Sequence, residues 1–83
     1  MTNIPQMGTP KLTKLGKFFE DRSLNKAAIA RKTGLSKNRL SQLSVNNDAQ
    51  VKAEELYLIA LAAGVEPGFL LEEVCGGLKL PND

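Results

Sequence analysis

The sequence predicts an all-α fold, a compact domain of five short helices. Apolar residues recur at helical spacing in five places, each bounded by residues that start or stop a helix. No segment alternates apolar and polar residues between turn signals, and only four of the 83 residues are aromatic. The length suits one small domain, which buries about 60–65% of the surface of its unfolded chain. Folded stability on the order of 4–12 kcal/mol follows from the usual per-residue figure.

The first helix is expected to open at Thr9-Pro10, a capping residue followed by proline at the first helical position, and to run to Arg22. Leu12, Leu15, Phe18 and Phe19 form its apolar stripe. Gly16 inside it costs about 1 kcal/mol relative to alanine, which predicts a close packing contact at that point. The next two helices, 26–33 and 37–44, follow one local rule. Asn25 and Ser36 are N-caps, and Leu24 with Ile29, then Leu35 with Leu40, make hydrophobic staples. Gly34 supplies the positive φ that ends the first of the pair. A polar connector, 46–52, leads to a fourth helix, 53–63, which begins with Glu54 and Glu55, buries Leu56, Ile59, Ala60 and Ala63, and stops at Gly64. The fifth opens at Glu66-Pro67, carries Phe69, Leu70, Leu71 and Val74, and ends at Gly76-Gly77. The domain organisation expected is a flexible arm over 1–9, the folded domain over 10–77, and a tail over 78–83.

Composition excludes several kinds of chemistry. Histidine is absent and Cys75 is the only cysteine, so no zinc finger, disulfide scaffold or imidazole-based catalytic group can be built. Neighbouring acids such as Glu20-Asp21, Glu54-Glu55 and Glu72-Glu73 do not face each other on a helix, and they read as solvated faces rather than catalytic pairs. No metal, cofactor or small-molecule site is expected, and no enzymatic activity. Residues 1–10 hold no positive cluster or apolar stretch, and the longest apolar run, Leu56 to Ala63, is too short to span a bilayer. A soluble, cytoplasmic protein without a membrane partner is the expectation. Net charge is only +2, yet residues 11–39 carry nine basic against two acidic side chains, whereas residues 40–83 carry two against seven. One part of the molecule can attract a polyanion while the other stays acidic.

The segment KAAIARKTGLSKNRLSQLSV, Lys26 to Val45, has the spacing of a DNA-binding helix-turn-helix. Ala30 is small where the second helix approaches the first, Gly34 makes the turn, and Ile29, Leu35, Leu40 and Leu43 supply the shared core. The second helix, on the 100° rotation per residue of an α-helix, buries Leu40 and Leu43. Asn38, Ser41 and Gln42 then point outward, with Lys37 and Arg39 on the flanks. Asparagine and glutamine amides can pair bidentately with adenine N7 and N6, and Lys37 can reach guanine or a phosphate.

With this motif the sequence resembles the lambda-repressor-like family of Cro and repressor type, over about Leu12 to Val74. LIALAAGVEPGFLL, Leu58–Leu71, is similar to that family's fourth helix, glycine and fifth helix. The resemblance implies a transcriptional regulator that binds double-stranded DNA, most simply a repressor occupying its operator as a homodimer, with Val74, Leu78 and Leu80 as candidate subunit contacts. It places base reading on Lys37, Asn38 and Gln42, with Arg39 and Ser41 secondary, and a phosphate clamp on Lys26, where the family often has glutamine. Ser44-Val45-Asn46-Asn47 stands where the family often has Glu and Gly. Asn47, Gln50 and Lys52 are the positions at which further backbone contacts would fall. The alternative is a protein-interaction module of the same fold, an antitoxin-like partner without base readout.

Overall fold

A threonine hydroxyl decides where the first helix begins. The computed structural model describes residues 12–81, and α1 (Lys14–Asp21) is capped by Thr13, whose Oγ1 accepts the Gly16 N–H at 3.0 Å. The same hydroxyl donates to the Leu43 carbonyl at 2.7 Å, and the Thr13 N–H donates to the Ser44 carbonyl at 2.9 Å. This corrects the expected start at Thr9-Pro10: Leu12 and Thr13 are not helical, because the Thr13 backbone is committed to another helix. Thr9, Pro10 and the rest of the expected 1–9 arm lie outside the described residues. After α1 the chain turns through Ser23, at φ 53°, a left-handed position where glycine or asparagine is the usual choice.

The helix pair forms as its local signals dictate. In α2 (Lys26–Thr33) the Asn25 Oδ1 accepts from the Ala28 N–H at 3.1 Å, and Gly34 ends the helix at φ 82°. The Thr33 hydroxyl donates to the Ile29 carbonyl at 2.8 Å and accepts the Leu35 N–H at 3.1 Å, so it stitches the turn that follows. In α3 (Lys37–Val45) the Ser36 Oγ accepts from the Arg39 N–H at 3.0 Å. α4 (Ala53–Ala63) stops at Gly64, φ 78°, and α5 (Pro67–Cys75) has its proline at the first helical position.

The core draws on every helix. Leu15, Phe18 and Phe19 come from α1, Ile29 from α2, Leu40 and Leu43 from α3, Leu56, Ile59 and Ala60 from α4, and Leu70 from α5. Leu24 and Leu35, the outer halves of the two staples, pack half-buried against it. Burying each large side chain contributes about 1.5–3 kcal/mol, and helices this short do not hold without it. α1 packs on α3 and α5, α2 on α3 and α4, and α4 on α5. Between α1 and α5, the Arg22 guanidinium lies over the rings of Phe18 and Phe69, at 5.2 and 5.4 Å from their centroids. Among the described residues no helix is long and apolar enough to cross a membrane.

Candidate nucleic-acid interface

α3 has two sharply different faces. Leu40 and Leu43 point into the core, as does Ser44, whose hydroxyl donates to the Leu40 carbonyl at 2.8 Å. Lys37, Asn38, Ser41 and Gln42 are exposed on the other side. Nothing in the packing holds these four inward, so they face a ligand that approaches along the helix, with Gln42 Oε1 already accepting from Asn46 Nδ2 at 3.2 Å.

Lys26 and Lys37 come together although eleven positions separate them in sequence. They line one open groove with Asn25 and Ala27 at the start of α2, with Phe19 and Glu20 of α1, and with Ser23 and Leu24 of the turn between them. Two ammonium groups beside the N-terminal ends of α2 and α3 make that groove suited to an anion, since free N–H groups and the helix dipoles act in the same direction. Asn47, Gln50 and Lys52 are exposed on the connector between α3 and α4.

Arg39, expected to flank the reading face, is engaged elsewhere. Its Nε donates to Glu55 Oε2 and its Nη2 to Glu55 Oε1, both at 2.9 Å, and Nη2 also donates to the Gln50 carbonyl at 2.8 Å. This two-pronged pair fixes α3 to the start of α4 and to the connector. Glu55 is only 8% exposed, which corrects its reading as part of a solvated acidic face. Besides the guanidinium it accepts the Lys52 N–H at 2.8 Å, the reach-back bond of a helix-capping acid three residues into α4. The acid at that spacing was the available signal in the sequence. Its pairing with Arg39 lies sixteen residues away and has no local signature.

The pair makes stability depend on pH. Hydrogen bonding from Arg39 holds the Glu55 carboxyl below the usual carboxylate range, with the Lys52 N–H adding to the effect and burial opposing it. A lowered folded value means the pair stabilises the domain fully above the ordinary glutamate range, and that contribution is lost as pH falls through the lowered value. Glu55→Gln should therefore be less stable than wild type at neutral pH, with the difference closing in strong acid. Thermal unfolding followed by circular dichroism across that range checks it, and a constant difference would mean that the carboxylate charge is not what matters.

Among the described residues no group of acidic or cysteine side chains is placed to hold a metal ion. Cys75 is half-buried and free. A short capped helix, a glycine turn and a second helix that shows its polar face to solvent, supported by three flanking helices, define a helix-turn-helix nucleic-acid-binding domain. The model of the Cro/C1-type HTH DNA-binding domain matches residues 14–75, from the first residue of α1 to the last of α5, and the chain belongs to that family. No curated protein and no solved structure matches the chain.

Proposed function

We propose that the protein is a transcriptional repressor that occupies a two-fold operator in duplex DNA as a homodimer. The observation that carries this reading is the outward face of α3, with Lys37, Asn38, Ser41 and Gln42 exposed opposite Leu40 and Leu43. In the major groove Asn38 and Gln42 contact base edges, Lys37 reaches a guanine or a phosphate, and Ser41 adds a secondary contact. Lys26 holds a phosphate in the groove it shares with Lys37, and Asn47, Gln50 and Lys52 supply further backbone contacts. Arg39 serves the same end indirectly, by holding α3 on Glu55. One short helix covers few base pairs, so useful discrimination calls for two copies on half-sites about one helical turn apart. Leu78 and Leu80, exposed at 78% and 70%, are available with the half-buried Val74 for contact between copies.

The test is titration of duplex DNA at several salt concentrations with the solution mass measured alongside. If each of two subunits neutralises about three phosphates, log K falls with log salt at a slope near −5. Lys26→Ala should reduce that slope by about one unit per subunit and weaken operator and random duplex alike. A flat salt response would refute the DNA-binding reading in favour of a protein partner, and a monomer footprint on a single half-site would refute the dimer.

A further inference from the structure

The exposed side chain at the end of α3 is held at both ends of its amide. Asn46 caps the helix, its N–H donating to the Gln42 carbonyl at 2.9 Å and its carbonyl accepting the Ala49 N–H at 3.0 Å. Its Oδ1 accepts the Asp48 N–H at 2.9 Å, and its Nδ2 donates to Gln42 Oε1 at 3.2 Å. The order of donors and acceptors along this chain is forced. A main-chain N–H can only donate, so the Asn46 atom facing Asp48 must be the oxygen. The Asn46 amino group then faces Gln42, where only an oxygen can receive it. Gln42 must therefore turn Oε1 toward Asn46 and present Nε2 on the opposite side of its amide.

We propose that Asn46 is a positioning residue that sets the base preference of Gln42; this rests on the base readout by α3 proposed above. A free glutamine amide turns half a revolution about its last torsion at little cost. It then offers a donor or an acceptor at the same place and serves opposite base edges. Held by Asn46, Gln42 offers Nε2 and selects an edge that presents an acceptor there: a purine N7, guanine O6 or thymine O4. The cytosine amino group, a donor, is refused at the place Nε2 occupies. Oε1 keeps its second lone pair, so an adenine whose amino group lies beside its N7 fits the same fixed orientation.

Selection of bound sequences from random duplex DNA, run on wild type, Gln42→Ala, Asn46→Ala and Asn46→Asp, tests this. Gln42→Ala should flatten one base-pair position of the selected site. At that same position Asn46→Ala should broaden the preference by about five- to tenfold, the lower end of what a base contact supplies. Asn46→Asp keeps an oxygen for the Asp48 N–H but can no longer donate to Gln42. It draws Nε2 inward and turns Oε1 out, so the preference should move toward bases that present an amino group. Loss of a helix cap lowers thermal stability and overall affinity, but it does not exchange one preferred base for another at a single position. If Gln42→Ala flattens a position and both Asn46 variants leave it as in wild type, the proposal is overturned while base readout by Gln42 stands. If Gln42→Ala flattens nothing, readout by Gln42 fails and the role of Asn46 fails with it.

Discussion

Gly16→Ala should destabilise the domain, although alanine inside a helix ordinarily gains about 1 kcal/mol over glycine. A Cβ at position 16 would run into the carbonyl oxygen of Ser44, and would lie 3.0 Å from the Ser44 carbonyl carbon and 3.2 Å from Leu12 Cδ2. The obstacle is backbone and it cannot swing aside. The Ser44 carbonyl is held by the Thr13 N–H at 2.9 Å, and the adjacent Leu43 carbonyl by the Thr13 hydroxyl at 2.7 Å. Overpacking of this kind costs about 1–3 kcal/mol and more where nothing can relax, which exceeds the propensity gain. A net loss of about 2 kcal/mol corresponds to a fall in Tm of roughly 10 °C for a domain of this size. Thermal unfolding by circular dichroism reads it directly. A Tm at or above that of wild type would mean that α1 does not approach the end of α3 so closely.

The close packing at Gly16 was legible in the sequence because a glycine in mid-helix has a cost that something must offset. The caps at Asn25 and Ser36, the stops at Gly34 and Gly64, and the proline opening α5 were legible for a related reason. Each is a bond or a torsion settled within four residues, so the local string contains all that is needed. The true start of α1 was not legible. Thr9-Pro10 and Thr13 are both acceptable openings, and the choice falls to Thr13 through carbonyls thirty residues further on. Glu55 departs from the solvated acidic face for the same physical reason. Its neighbour Glu54 is exposed, and only the folded chain brings Arg39 within bonding distance of one acid and not the other. On α3 the rotation per residue sufficed to place Asn38, Ser41 and Gln42 outward. It could not reveal that Arg39 on the flank is held by α4. That contact is made by a side chain long enough to leave its own helix, which periodicity does not describe, whereas Gln42 and Asn46 stand four residues apart, a spacing at which side chains on one helix face meet.

Leu40→Ala should have the larger effect on stability, and set against Asn38→Ala it separates the two faces of α3. Leu40 is completely buried, on the helix that meets α1 on one side and α2 on the other. Truncation removes its burial and leaves a cavity that short, mutually dependent helices close only in part, at a cost of about 2–5 kcal/mol. Against a total on the order of 4–12 kcal/mol, that loss brings the domain near the threshold of unfolding, and DNA affinity falls on every sequence because α3 is no longer held. Asn38, two residues earlier, is exposed and touches nothing in the core. Its replacement by alanine should leave stability within about 0.5 kcal/mol of wild type while removing about 1–3 kcal/mol of affinity for the best operator and much less for random duplex. Urea unfolding and DNA titration on the same two variants give both numbers. If Leu40→Ala proves as stable as wild type, the packing of α3 described above is wrong. If Asn38→Ala is stable and keeps its operator-to-random ratio, Asn38 does not read bases, whatever holds the helix in place.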